Sequence, residues 1–123
     1  MKYLSDYMQD KQTDLFAETG TFFAFSSQQF KEKKKEGVKY SHLDGGMICP
    51  TKNIQTLLNG LNEIYQSSIK KDLEENGKDK IILRELYNHE CFYTGSPEEI
   101  FEKLKDYNIS ETEILEIYRK NLH

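Results

Sequence analysis

The longest hydrophobic pattern in the chain follows a helical period between residues 52 and 75. Its apolar positions recur every three or four residues, which predicts one long amphipathic helix with an apolar stripe over about five turns. These positions are Ile54, Leu57, Leu58, Leu61, Ile64, Tyr65, Ile69 and Leu73. Pro50 and Thr51 precede the helix as stop and cap, and Asn76-Gly77 marks its predicted end. Gly60, inside the helix, is less favourable than Ala by roughly 1 kcal/mol and indicates a close packing neighbour.

Short apolar segments bounded by turn residues predict a small antiparallel sheet. Residues 21–25 concentrate aromatic, β-favouring side chains between Gly20 and Ser26. Residues 38–42 and 46–49 flank Asp44-Gly45-Gly46, where two glycines accept positive φ, so we expect a β-hairpin. Residues 91–93 are short and apolar, and the pattern there fits either an edge strand or an extended segment.

Capping residues predict the remaining helices. A helix over residues 5–18 ends at Gly20, and a second runs from the Ser26/Gln29 capping box to about Gly37. A third spans residues 79–88, although residues 81–83 also fit a strand. Ser96 and Ser110, each followed three residues later by a glutamate, begin the last two. The pattern therefore predicts an α+β fold, with the sheet packed against about five or six helices.

Composition bounds the class of protein. The chain has 123 residues, with 7 Phe and 8 Tyr among 37% hydrophobic positions, so we expect one folded domain over residues 1–123. The net charge of −4 argues against a general nucleic-acid coat. Neither a signal peptide nor 18 consecutive apolar residues is present. We expect a cytoplasmic protein that does not enter membranes; the sequence sets no oligomeric state.

Two histidines and two cysteines are the only group of residues in the sequence that could supply soft or borderline metal ligands. His42, Cys49, His89 and Cys91 have the residue types of a zinc site, but their spacing lacks a CxxC-like knuckle. His89 and Cys91 are two residues apart, without a recognisable orienting group or oxyanion feature. We therefore expect no catalytic residue, metal or cofactor. The alternative is a small enzyme or ligand-binding domain whose cleft uses His42, His89 and Cys91.

Charge is distributed unevenly along the chain. A basic cluster comprises Lys31, Lys33, Lys34, Lys35 and Lys39, and its aromatic neighbours suit contact with nucleic-acid backbone or a partner protein. Carboxylates crowd the C-terminal helices, where an acidic face predicted to bind a partner comprises Glu98, Glu102, Asp106 and Glu116. The plainer alternatives are a solvated helix face for the lysines and favourable helix-dipole interactions for the acids.

The chain also resembles a family of small uncharacterised proteins of bacteriophages and of gut or flavobacterial mobile elements. The resemblance lies in residues 21–26 with Phe30, in residues 38–40 and 46–50, in the helix from Asn53, and in residues 90–95. It implies phage biology, in which compact acidic proteins bind host machinery, as anti-CRISPR and other anti-defence inhibitors do. It implies no catalytic residues.

We therefore expect a non-enzymatic binding protein that docks on a host protein or ribonucleoprotein complex for defence or nucleic-acid handling, and modulates it. Direct nucleic-acid contact would use the basic cluster. A self-associating structural protein, joined through an exposed aromatic patch, is the remaining alternative.

Overall fold

A computed structural model describes residues 2–122, which form six α-helices and three short strands. In chain order the elements are α1 (Leu4–Thr19), β1 (Phe22–Phe23), α2 (Ser27–Lys33), β2 (Tyr40–His42), β3 (Met47–Pro50), α3 (Ile54–Asn88), α4 (Cys91–Thr94), α5 (Phe101–Lys105) and α6 (Glu111–Lys120). The predicted α+β class is confirmed. Backbone contacts divide the chain into an N-terminal unit, Met1–Gln66, and a C-terminal unit, Ser67–His123.

The sheet belongs to the N-terminal unit and is antiparallel, with β3 in the centre of the order β1-β3-β2. The predicted hairpin is confirmed, since Ser41 lies opposite Cys49 in the β2–β3 pair. Gly45 and Gly46 form its turn with φ of 73° and 79°, values that a Cβ would disfavour. The Leu43 N–H closes the turn by donating to the Met47 carbonyl at 2.7 Å.

The core of the N-terminal unit lies between α1, β3 and the first turns of α3. Leu15, Cys49 and Leu57 are buried together, and partly buried apolar side chains pack against them. Gly60 allows this packing, because a Cβ at that position would lie 2.7 Å from Leu15 Cδ1. The close neighbour that the sequence indicated for Gly60 is therefore the Leu15 side chain.

The long helix α3 is interrupted at Gly77, which has φ 77° and ψ 160°. This conformation is almost confined to glycine, and it separates the predicted long helix from the predicted helix over residues 79–88. Both predictions are confirmed, and residues 81–83 are helical rather than strand. In the C-terminal unit, the residues after Gly77 contribute Ile81, Ile82 and Leu86 to a buried core.

The prediction of an edge strand or an extended segment at residues 91–93 is wrong, because these residues form the helical turn α4. Glu90 and Gly95, both with positive φ, bracket a single helical turn there, so the backbone cannot stay extended. The helix predicted to reach Gly37 ends at Lys33. Its continuation would stack the like charges of Lys31 and Lys35, and the Lys35 N–H donates instead to the Tyr40 hydroxyl at 3.0 Å.

Of the two predicted C-terminal capping boxes, the one at Ser110 is confirmed, whereas Ser96 makes no side-chain capping hydrogen bond. Ser110 Oγ accepts the Glu113 N–H at 3.2 Å, and Glu113 Oε1 accepts the Ser110 N–H at 3.4 Å, completing the predicted box. After Ser96 the chain makes a 3₁₀ turn, Pro97–Ile100, before α5 begins. No helix within residues 2–122 has the length and apolarity needed to cross a bilayer.

Candidate functional site

An aromatic cluster fixes α2 to the outer face of the sheet. The Phe30 ring, on α2, stacks on Phe22 of β1 at 6.3 Å between centroids. It also meets Tyr40 of β2 edge-on at 5.8 Å and His42 at 5.1 Å. Because aromatic contacts of this kind favour one geometry, they hold α2 in place against the sheet.

A basic groove with a volume of about 450 Å³ opens beside this cluster. Lys33, Lys35 and Lys52 line it, together with the Tyr40 ring, and Glu18 is the single carboxylate-bearing residue in its lining. Lys33 Nζ donates to the Phe23 carbonyl at 2.7 Å, so its ammonium group is held close to β1. Three cations against one carboxylate make the groove attractive to an anion.

The structure distributes the predicted basic cluster over separate surfaces. All five of its lysines are exposed, but only Lys33 and Lys35 line the basic groove. Lys31 lines a different concavity, with Phe25 and His42. Lys34 Nζ lies 5.8 Å from the centroid of the Phe30 ring. Lys39 lines a neighbouring concavity with Lys52.

Lys52 also belongs to this site, although it was not among the predicted basic residues. Lys52 follows β3, in the 3₁₀ turn that leads into α3. The hairpin brings it to Lys39, because the Thr51 N–H donates to the Lys39 carbonyl at 2.9 Å. The two hydroxyls of Ser41 and Thr51 share a second hydrogen bond at 2.8 Å. The only signal for Lys52 in the sequence was its place beside the predicted helix cap.

The acidic residues predicted to bind a partner are all exposed in the C-terminal unit. Glu98, Glu102 and Asp106 are four residues apart along the helical stretch that begins at Pro97, so they share one face. Glu102 Oε1 lies 3.4 Å from Lys105 Nζ. Glu116 belongs to a separate element, α6. The predicted face is thus a row of three carboxylates with a fourth on another helix.

A buried ionic network in the C-terminal unit was not predicted. Asp72, fully buried, accepts two hydrogen bonds from Arg84 at 2.9 Å each and one from the Tyr107 hydroxyl at 2.6 Å. The Asn76 amide adds a fourth at 2.7 Å. A signal was present in the sequence, because Arg84 and Glu85 interrupt an otherwise apolar stretch between Ile82 and Leu86.

The network continues from Arg84 towards the surface through Glu85. Arg84 Nε donates to Glu85 Oε1 at 3.0 Å, and Lys103 Nζ lies 2.9 Å from Glu85 Oε2. His89 Nε2 lies 3.6 Å from the same oxygen, beyond hydrogen-bond distance. Two buried carboxylates are therefore matched by two cations, which is the usual condition for charge inside a protein.

The environment of Asp72 and Tyr107 suits a structural role. Burial by itself raises the pKa of Asp72, but the hydrogen bonds from Arg84, Tyr107 and Asn76 outweigh it and hold the pKa below its usual value. Burial and the bond to Asp72 raise the pKa of Tyr107. Asp72 thus stays ionised and Tyr107 protonated, and Asp72 has no exposed surface for a reacting group.

The two histidines and two cysteines singled out in the sequence lie in two separate units. His42 and Cys49 belong to the N-terminal unit, and His89 and Cys91 to the C-terminal unit. Burial, followed by the negative charge of Glu99, raises the pKa of the Cys91 thiol, which is the opposite of nucleophile activation. Within residues 2–122, no group of three or more His, Cys, Asp or Glu side chains could hold a metal ion.

Comparison with protein families gives a match over nearly the whole chain. The model of a family of unknown function, DUF7659, covers residues 4–123, so the chain belongs to that family. Neither a curated protein nor a solved structure is detectably similar to it.

Proposed function

We propose that this member of DUF7659 is a non-enzymatic binding protein that docks on a nucleic-acid-handling or host defence complex and modulates it. The observation that best supports this proposal is the basic groove, where Lys33, Lys35 and Lys52 converge beside Tyr40. The three lysines come from two stretches of chain, and the folded hairpin and α2 bring them to one concave surface.

A phosphate backbone is the ligand that this chemistry fits best. Lysine ammonium groups neutralise phosphates and release their counterions, while an aromatic ring beside them offers a face on which a base can stack. The helical stretch that begins at Thr51 adds the positive end of its dipole near Lys52. The hydrogen bond from Lys33 to the Phe23 carbonyl already orders that side chain, which reduces the entropy lost when it binds a ligand.

Host defence complexes are proposed as partners because the chain resembles small phage and mobile-element proteins. Many such complexes present nucleic-acid backbone together with protein surface. A modulator of one of them needs an exposed recognition surface and no reaction centre of its own. The exposed lysines beside the groove and the exposed carboxylates of the C-terminal unit supply two surfaces of opposite charge.

Binding to nucleic acid tests the proposal directly. A fluorescein-labelled single-stranded RNA of about 20 nucleotides, long enough to cover one protein-sized site, is titrated with the full chain at several salt concentrations. We expect anisotropy to show binding that weakens steeply with salt. Lys35→Glu/Lys52→Glu, which removes two groove cations, should lower the slope of log affinity against log salt by about 1.4.

The matched control is Lys70→Glu/Lys71→Glu, which changes the net charge by the same amount at two exposed lysines of α3. Lys33 is left in place in both variants because its ammonium group hydrogen-bonds the β1 backbone. Equal losses in the two double variants would mean that binding follows total charge rather than the groove. No salt-sensitive binding to RNA or to a matching DNA strand would contradict the proposal.

A further inference from the structure

A second concave surface lies in the C-terminal unit, where α3 ends and α4 begins. Its volume is about 310 Å³, and it is lined by Leu86, Tyr87, Glu90, Phe92 and Tyr93. Three of these five residues are aromatic and one is a carboxylate. This combination differs from both the basic groove and the buried network.

Two of the three rings at this surface are ordered by contacts with other rings. Tyr87 and Phe92 lie 5.1 Å apart between centroids at an angle of 45°, so they form two walls of a corner. Tyr118 stacks against Phe92 at 5.2 Å and supports it. Tyr93, the next residue, is 90% exposed. Large apolar rings held in place yet open to water are typical of an interaction surface.

The backbone at Glu90 serves to place these side chains. Glu90 has φ 55° and ψ 32°, a left-handed conformation that is uncommon for a residue with a side chain. At Glu90 the chain leaves the direction of α3 and enters α4. The single turn of α4 places Phe92 and Tyr93 beside Tyr87. A strained backbone position of this kind is retained where the geometry that it produces is needed.

Charge at this surface favours a cationic ligand. Within residues 2–122, the carboxylate of Glu90 makes no ion pair and no lysine or arginine lies over the rings of Tyr87, Phe92 or Tyr93. The sequence of the C-terminal unit holds thirteen acidic against nine basic residues. Aromatic faces attract organic cations through their quadrupole, and a nearby carboxylate adds a direct charge.

We propose that this aromatic pocket binds a lysine or arginine side chain of a basic segment in a partner protein. The pocket accepts the cationic head between the rings and Glu90, and the exposed row of Glu98, Glu102 and Asp106 in the same unit attracts the rest of a basic segment. The inference goes beyond the proposed function and does not rest on it, since the two surfaces share no residue and belong to different units.

A labelled peptide provides the test. A fluorescein-labelled peptide with three lysines separated by glycines is titrated with the full chain, beside an otherwise identical peptide with norleucine at those positions. We expect the lysine peptide alone to bind. Tyr93→Ala and Glu90→Gln should each weaken its affinity by roughly two- to thirtyfold, the range for losing one cation–π or charge contact.

Two variants control for general effects. Glu111→Gln removes one exposed carboxylate of the same unit, and Phe25→Ala removes an exposed ring of the other unit. Both should bind the lysine peptide as the unchanged protein does. A melting curve for each variant shows that it is folded, and Glu90→Gln keeps the test valid if Tyr93→Ala unfolds.

Four outcomes would overturn the inference. Equal binding of the norleucine peptide would show that the surface recognises apolar side chains. An equal loss in Glu111→Gln would show that only overall charge matters. Tetramethylammonium that competes as tightly as the peptide binds would indicate a small-molecule site. A dimer that light scattering detects and Tyr93→Ala abolishes would show that a second copy of this chain occupies the pocket.

Discussion

Arg84 donates two parallel hydrogen bonds to Asp72, each at 2.9 Å, across the interruption of α3 at Gly77. The bidentate pair joins two helical segments that Gly77 allows to change direction. Tyr107 adds a hydrogen bond to Asp72 from outside α3, so the network links separate parts of the C-terminal unit.

Removing the cation of this pair should strongly destabilise the fold. Arg84→Met keeps much of the side-chain volume but leaves the carboxylate of Asp72 buried without its partner. We expect the free energy of unfolding, measured by urea denaturation, to fall by about 3–5 kcal/mol. Lys80→Met makes a comparable change at an exposed lysine of α3 and should alter stability by about 0.5 kcal/mol or less. Similar effects of the two substitutions would contradict the network.

The depressed pKa of Asp72 makes its contribution to stability depend on acid pH. Because its pKa is lower in the folded state, the contribution is complete above the ordinary value of 3.8 and is lost as pH falls through the folded value. Asp72→Asn removes this titration. We therefore expect the difference in unfolding free energy between the original protein and Asp72→Asn to be largest near neutral pH and to shrink in acid. A difference that is constant with pH would exclude this linkage.

Tyr107 should show the opposite dependence in alkali. Burial and the hydrogen bond to Asp72 raise its pKa, so the stability that it contributes is complete below its ordinary value of 10.0 and is lost as pH rises further. Absorbance at the tyrosinate band should show that one of the 8 tyrosines ionises at a higher pH than the others, when the protein unfolds. Tyr107→Phe should remove that late step and cost about 1.5–3 kcal/mol at neutral pH. If the late ionisation step persists in Tyr107→Phe, it belongs to a different tyrosine.

The contact between Gly60 and Leu15 predicts coupling between two core positions. A Cβ at residue 60 would lie 2.7 Å from Leu15 Cδ1, so Gly60→Ala alone should destabilise by about 1 kcal/mol or more despite its better helix propensity. Leu15→Ala removes the three atoms nearest to this Cβ, so in that background the same change should stabilise by up to about 1 kcal/mol. A double-mutant cycle by urea denaturation measures the difference. Equal effects in both backgrounds would contradict the contact.

The interruption at Gly77 predicts a purely conformational cost. No atom beyond its chain neighbours and the adjoining helix backbone lies within 4 Å of a Cβ built there, so Gly77→Ala should destabilise only through its φ of 77° and ψ of 160°. We expect a loss of about 1–3 kcal/mol in unfolding free energy. Gly77→Asn should give no rescue, because asparagine tolerates φ and ψ near 50° but not this ψ. Clear rescue by asparagine would mean that the turn is of the ordinary left-handed type.

The basic groove could be predicted only in part from the sequence. Five neighbouring lysines are conspicuous in a sequence, and all five are exposed, but their directions depend on where α2 ends. That end is set by Tyr40, which accepts the Lys35 N–H. Lys52 joins the groove through strand pairing, which no local pattern reports. The aromatic pocket was missed because residues 91–93 were expected to be extended, and a strand would have separated Phe92 and Tyr93 to opposite faces.

The sequence by itself determined the features that are satisfied within a few residues. The apolar period of the long helix, the break at Gly77, the hairpin glycines and the Ser110/Glu113 capping box all follow from backbone preferences and bonds between near neighbours. Only the tertiary structure decided which charges are buried, because Asp72 meets Arg84 and Tyr107 at separations of 12 and 35 residues. A charged residue that is solvated and one that is paired in the core look alike in the sequence, since burial depends on what the rest of the chain packs against.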